Sequence, residues 1–222
     1  MLIEEIARVS QAVAATSARR QRIELLAECL RRLEPSEVPV AVSYLSGFLP
    51  QGTIGVGWAS LRDLPQPAAP PPSIGIVEVD DAFTLIRQSS GPGSQSARRA
   101  LLHDLFGRAT KTERRFLVGL LSEELRQGAL GGVMVEAVAR AADLPPSDVR
   151  RAVMVAGDVG TVAQAAMAQG AAGLDRFRLQ LLRPLRPMLA QTSTRRWAGS
   201  AQPRWSGNST GPASRCIDSA TR

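Results

Sequence analysis

The chain has little of several residue types on which common enzyme classes depend. Its 222 residues include one histidine, two cysteines and a single lysine, Lys111. Cys29 and Cys216 stand in unrelated contexts, so they provide neither a disulfide framework nor the ligand spacing of a zinc site. His103 has no nucleophile or metal ligand at a supporting spacing, and we interpret it as a structural residue. We expect no metal in this protein.

Long hydrophobic runs and aromatic side chains are also scarce. No stretch reaches the about 18 consecutive apolar residues of a membrane span, and residues 1–5 lack the basic-then-apolar order of a signal peptide. We therefore expect a cytoplasmic monomer with no membrane association. Aromatic residues make up 4% of the chain and apolar residues 44%, which favours closely packed helices over a β-sheet. The composition predicts an all-α fold.

The net charge is +7, and nearly all of the cations are arginine. Residues 193–222 carry five arginines against one acidic residue, so the preceding 192 residues hold a surplus of three positive charges. Such a surplus favours a polyanionic partner such as nucleic acid. An arginine-rich composition inherited from a GC-rich genome explains the total charge equally well.

Apolar residues recur at helical spacing through most of residues 1–182, which we assign to a multi-helix bundle. Residues 2–13 and 23–33 predict a helical hairpin. Thr110 and Glu113 form a T-x-x-E capping box, which predicts a helix that begins there and ends at a glycine, Gly128.

Further helices are expected after Pro145, after Asp158 and over residues 174–182. The acidic pairs Glu4–Glu5 and Asp80–Asp81 each consist of sequence neighbours, whose side chains point about 100° apart on a helix. We therefore interpret these pairs as solvated faces rather than as catalytic carboxylates.

Basic residues gather around two of the predicted connections between helices. They are Arg98, Arg99, Arg108, Lys111, Arg114, Arg115 and Arg126. Beside them, Gly128, Gly131 and Gly132 leave backbone N–H groups open to a phosphate. This arrangement is typical of a protein that contacts the DNA backbone. We expect Arg114 to lie on the side of its helix that faces away from Phe116 and Leu117.

Several segments resemble the N-terminal DNA-binding domain of ATP-dependent DNA ligases. Residues 110–142 carry T-x-T-E-x-x-F, L-R-Q-G-A-L-G-G and V-x-x-A-V-A, residues 157–163 resemble a D-x-G-x-V-A turn, and residues 183–190 resemble R-P-x-x-P-M-L-A. Residues 44–47 and 50–57 are similar to the actinobacterial branch of the family. The resemblance extends over roughly residues 1–191.

This resemblance implies contacts with the phosphates and minor groove of nicked or intact duplex DNA, largely independent of base sequence. The residues that it assigns to these contacts are Lys111, Arg114, Arg115, Arg126, Gln127, Gly128, Gly131 and Gly132. In the family, the parent activity is nick sealing in DNA repair, replication and recombination, with ATP and Mg²⁺ as cofactors. No cofactor is expected for the present chain.

The nucleophile of the family is missing from these 222 residues. Such ligases form a lysyl adenylate at K-x-D-G-x-R, whereas Lys111 is not followed by D-G. We therefore expect the chain to be non-catalytic. When suitable synonymous codons for residues 205–217 are read one nucleotide earlier, they yield V-E-W-K-L-D-G-A-R-I-Q-V-H, which suggests a frameshift near Thr192. On this hypothesis residues 183–192 are a linker toward a missing nucleotidyltransferase domain, and residues 193–222 are a disordered, basic, out-of-frame tail.

Two other functional interpretations remain open. The chain could be a helical protein-interaction module that uses arginine for solubility, or a helix-turn-helix regulator with residues 145–156 as its recognition helix. A regulator should prefer one duplex sequence and an interaction module should ignore DNA.

Overall fold

The computed structural model describes residues 1–62, 64–65, 71–125 and 130–179, which form an all-α structure. The helices in these residues are α1 (Ile3–Ala15), α2 (Arg19–Arg31), α3 (Val38–Leu45), α4 (Trp58–Arg62), α5 (Ile76–Gln88), α6 (Ser94–Arg108), α7 (Lys111–Leu121), α8 (Leu130–Ala141), α9 (Pro146–Ala156) and α10 (Val159–Leu174). Within the described ranges the only β pairing is an isolated antiparallel bridge between Leu2 and Gly75. The predicted all-α class is confirmed.

The two N-terminal helices form the predicted hairpin, and the second of them packs most extensively on α8. α2 contributes Leu26 and Leu30, and α8 contributes Met134 and Ala137, all fully buried. Full burial of a leucine side chain stabilises a fold by about 1.5–3 kcal/mol. This apolar contact fixes the position of α8, although α2 and α8 are more than a hundred residues apart in sequence.

The C-terminal helices close the same core from the other side. α10 packs on α3, α8 and α9. A Cβ atom at Gly160 would lie 3.1 Å from the carbonyl oxygen of Pro39, so glycine permits the first turn of α10 to approach α3 closely. Asp158 caps α10 by accepting a hydrogen bond from the Thr161 N–H at 2.7 Å. The helix predicted after Asp158 is confirmed.

A buried polar cluster attaches the segment that follows α3 to helix α5. The Tyr44 hydroxyl donates to Asp80 Oδ1 at 3.2 Å, and Gln51 Nε2 donates to the same oxygen at 2.8 Å. Gln51 Nε2 also lies 3.0 Å from Thr84 Oγ1. The expectation that Asp80 belongs to a merely solvated pair is therefore wrong, because its carboxylate satisfies two buried donors.

The predicted capping box is present at the start of α7 and extends to α1. The Thr110 N–H donates to Glu113 Oε2 at 2.7 Å, and the Glu113 N–H donates to Thr110 Oγ1 at 3.2 Å. The Thr110 hydroxyl also donates to Glu4 Oε2 at 2.6 Å. Glu4 is 6% exposed, so the prediction that it lies on a solvated face is wrong. The Glu4 carboxylate accepts this hydrogen bond from Thr110, a residue 106 positions away in sequence.

The predicted end of α7 at Gly128 is wrong. The helix ends at Leu121, and Glu123 adopts the left-handed conformation at φ 61°. The Leu125 N–H then donates to the Gly119 carbonyl at 3.3 Å. A Cβ atom at Gly119 would lie 3.1 Å from the Leu125 side chain, so the chain folds back over a glycine inside the helix.

The helix expected over residues 174–182 is also wrong as far as the structure describes it. Leu174 is the last residue of α10, and residues 175–179 are not helical. Gly170, at φ 59° and ψ −137°, already breaks the helical backbone before that point. Residues 180–182, the linker at residues 183–192 and the tail at residues 193–222 lie outside the described residues.

The buried Glu113 carboxyl gives the fold a testable pH dependence. Burial is the largest cause that raises its pKa above the ordinary 4.5, the Thr110 hydrogen bonds oppose this shift, and the nearby Glu4 reinforces it. The pKa of Glu113 is therefore higher in the folded state than in the unfolded state, so protonation of Glu113 stabilises the fold. This stabilisation is complete at pH values below the unfolded-state pKa. It is lost as the pH rises through the folded pKa.

We predict that Glu113→Gln removes this dependence. The free energy of unfolding of the variant minus that of the wild type should rise between pH 4 and pH 8, as measured by urea denaturation. Glu34→Gln, at an exposed position, is the control and should leave the difference flat. A flat difference for Glu113→Gln as well would contradict the prediction.

Candidate nucleic-acid interface

The first turn of α7 presents two cations to solvent. Lys111 and Arg115 are exposed and lie one turn apart on the same side of the helix. Neither side chain has an acidic partner in the part of the chain that the structure describes. The Thr110 cap fixes the helix start and therefore the direction of both side chains. They can meet a polyanion without first breaking an ion pair.

Arg114, between these two residues, has a different environment. It is 8% exposed, its Nε donates to the Ala109 carbonyl at 3.0 Å, and its Nη1 donates to the Pro65 carbonyl. The expectation that Arg114 faces away from the core is wrong, because its position three residues before Leu117 places it beside the buried stripe of α7. Arg114 ties the α6–α7 turn to the segment at Pro65 and is not displayed for phosphate contact.

The glycine-rich connection is partly described. Arg126, Gln127 and Gly128 lie outside the described residues, whereas Gly131 and Gly132 form the exposed first turn of α8. Among the described residues, nothing lies within 4 Å of a Cβ atom built on Gly131. The N–H groups of a first helical turn have no acceptor within the helix.

The sequence patterns did not identify Arg19 as a site residue. The nearest atom to a Cβ built on Gly132 is Arg19 Nη2, at 3.8 Å. The same nitrogen donates to Glu136 Oε1 at 2.9 Å, one turn further along α8. Arg19 and Glu136 are 117 positions apart, so no local motif could have paired them. The packing of α2 on α8 brings a guanidinium to the glycine turn.

Among the described residues, the predicted site is distributed over two helices, α7 and α8. α7 packs on α1, α1 on α2, and α2 on α8, so two helices connect the Lys111 and Arg115 pair to the Gly131 and Gly132 turn. Other arginines of the predicted basic group bind within the fold. Arg98 donates to the Ile86 carbonyl at 3.2 Å.

Arg108 is also engaged, because it pairs with Glu78 at 2.6 Å and with Asp104 at 3.3 Å. His103 is half-buried, and its Nε2 has no hydrogen-bond partner among the described residues. The searched part of the chain contains no group of three or more potential metal ligands. It also contains no helix that is long and apolar enough to cross a bilayer.

Comparison with known proteins gives consistent similarities. Residues 59–139 match the family model described as DNA ligase N terminus. The chain is 52% identical over 87% of its length to a probable DNA ligase of Anaeromyxobacter sp. (strain K). It is 50% identical, over the same share, to a probable DNA ligase of Streptomyces griseus subsp. griseus, and 52% identical to one of Mycolicibacterium gilvum. In each case the alignment covers 38% of the relative's length.

The neighbours Arg114 and Arg115 provide a matched test of the described geometry. Arg114→Glu places a buried carboxylate against two carbonyl oxygens and should lower the free energy of unfolding by about 3 kcal/mol or more. Arg115→Glu, at an exposed position, should change it by no more than about 0.5 kcal/mol. Urea denaturation followed by circular dichroism measures both values. Equal effects of the two substitutions would show that Arg114 is not buried as described.

Proposed function

Because the chain belongs to the DNA ligase N-terminal family, we propose that it is a DNA-binding module that holds nicked or intact duplex DNA without reading its base sequence. The family relationship supports a ligase-related role in DNA binding. The described surface supports the finer proposal, since its candidate contacts suit the sugar-phosphate backbone rather than base edges.

One observation carries this proposal, namely the guanidinium of Arg19 beside the exposed glycine turn of α8. Gly131 and Gly132 carry no side chain of their own, so a DNA strand can approach their backbone closely. The N–H groups of that first helical turn have no acceptor within the helix and can supply donors, and Arg19 supplies positive charge. Backbone N–H donors and a guanidinium bind phosphate oxygens whatever the base sequence of the DNA.

Lys111 and Arg115 form the second part of the proposed surface. Two exposed cations one turn apart can neutralise phosphates and release condensed counterions, which makes affinity strongly dependent on salt. Arg126, Gln127 and Gly128 stay in the proposal on the basis of the resemblance alone. Arg114 contributes by fixing the α6–α7 turn from which Lys111 and Arg115 project.

The chain spans 38% of the length of the curated relatives that it matches. We propose that in a complete ligase this module positions the duplex for nick sealing in DNA repair, replication and recombination. The ATP and Mg²⁺ of that reaction belong to the catalytic part of the family. We propose that the module binds DNA as a monomer.

The test is fluorescence anisotropy with nicked duplex, intact duplex and single-stranded DNA at 50 mM and 200 mM salt. We predict that both duplexes of any sequence bind and that affinity falls steeply with salt. Lys111→Gln and Arg115→Gln should each reduce the log–log salt slope by about 0.9, the value for one phosphate contact. Arg87→Gln is the control, because Arg87 is also exposed but lies in the last turn of α5.

The outcomes separate the candidate functions. Absence of duplex binding at both salt concentrations would contradict the proposal and favour a protein-interaction module. A strong preference for one duplex sequence would favour a helix-turn-helix regulator. Equal slope changes for all three variants would show that net charge, rather than the start of α7, determines binding.

A further inference from the structure

The helices α2, α8 and α9 carry an uneven distribution of charge on their exposed faces. Seven arginines on these helices stand against four acidic residues. The arginines are Arg19, Arg20, Arg22, Arg31, Arg140, Arg150 and Arg151, and the acidic residues are Glu24, Glu28, Glu136 and Asp148. Within the described residues, two of these carboxylates are each shared by two guanidinium groups.

The first shared carboxylate is that of Glu136, where all three helices meet. Arg19 from α2 lies 2.9 Å from Glu136 Oε1, and Arg150 from α9 lies 3.8 Å from the same oxygen. The Arg19 and Arg150 side chains are 56% and 45% exposed. One negative charge therefore faces two solvated positive charges directly beside the glycine turn of α8.

The second shared carboxylate is that of Glu24, at the other end of the α2–α8 contact. Arg140 Nε lies 3.3 Å from Glu24 Oε2, and Arg31 Nη1 lies 3.8 Å from Glu24 Oε1. Arg31 also donates to the Arg140 carbonyl at 2.9 Å. Two guanidinium groups again share one carboxylate, so this cluster also has a net positive charge.

Exposed ion pairs of this kind contribute little to stability, about 0–1 kcal/mol each. Their partners can therefore be exchanged for another anion at low energetic cost. We propose that Arg19, Arg150, Arg31 and Arg140 form an arginine track that binds the phosphate backbone of duplex DNA, and that Glu136 and Glu24 hold these guanidiniums in place until phosphates replace them. This inference rests on the proposed DNA-binding function and extends its surface beyond the glycine turn.

The dimensions of the track fit a DNA strand. Arg19 and Arg31 are twelve residues apart on one helix, which corresponds to about 18 Å at 1.5 Å per residue. At 3.4 Å per nucleotide, that distance spans about five phosphates of one strand. The two clusters can thus contact separate phosphates of the same backbone.

Phosphate is the anion that this surface favours. Arginine presents a planar fork of donors that matches phosphate oxygens, and it is less strongly hydrated than lysine. The track also begins at Gly132, so it continues the surface already proposed for the backbone of a duplex. An acidic protein would have no comparable reason to start at an open helical turn.

The first test removes a holding carboxylate instead of an arginine. Glu136→Gln should tighten duplex binding and raise the salt slope, because phosphates then bind Arg19 and Arg150 without displacing Glu136. The gain in affinity should be largest at 50 mM salt and about threefold smaller at 200 mM, because one phosphate contact adds about −0.9 to the log–log slope. Asp81→Asn is the matched control, since it removes one exposed negative charge on α5, which packs on α3 and α6.

The second test uses Arg140→Gln, which should weaken duplex binding and lower the slope by about 0.9, with Arg87→Gln as its control. Its deficit in affinity should therefore shrink about threefold between 50 mM and 200 mM salt. Circular dichroism should show the wild-type fold for all four variants. If the wild-type chain binds duplex but Glu136→Gln matches Asp81→Asn, or weakens binding, the arginine track is wrong while the proposed function stands. Failure of the wild-type chain to bind duplex would instead overturn the proposed function, and the arginine track with it.

Discussion

The packing of α2 against α8 is the interaction on which the proposed surface depends. Leu26 and Leu30 of α2 are fully buried in the apolar core, and the packing of α2 on α8 brings the first turns of the two helices together. Arg19 consequently reaches Gly132, although about half of the chain separates them in sequence. The charged surface is arranged by an apolar contact in which its own residues take no part.

The start of α7 shows how a single helix turn divides its residues between stability and binding. The reciprocal hydrogen bonds of Thr110 and Glu113 fix the helix start, and the Thr110 hydroxyl ties it to Glu4 on α1. With the start fixed, helical periodicity turns Arg114 inward while Arg115 stays in solvent. The two adjacent arginines therefore have different roles. Arg114 donates to carbonyl oxygens inside the fold, and Arg115 lies on the exposed surface.

Features set by short-range interactions could be predicted from the sequence, and those set by distant contacts could not. The capping box depends on residues within one turn, the helical hairpin depends on two consecutive periodic segments, and both predictions are confirmed. The burial of Glu4, the reversal of the chain at Leu125 and the position of Arg19 each depend on tertiary partners that no local pattern contains. Of the predicted site, Lys111 and Arg115 are displayed as expected, whereas Arg114 is buried by its place beside the core.

The glycine turn of α8 is the place where we propose that DNA approaches the chain. Titration of ¹⁵N-labelled protein with a short duplex, followed by amide chemical shifts, locates the bound DNA on the surface. We expect the amide resonances of Gly131 and Gly132 to shift together with the side-chain Nε resonance of Arg19, while amides of α5 stay unchanged. Shifts confined to α5 and α6, with the Gly131 and Gly132 amides unaffected at saturating duplex, would contradict it.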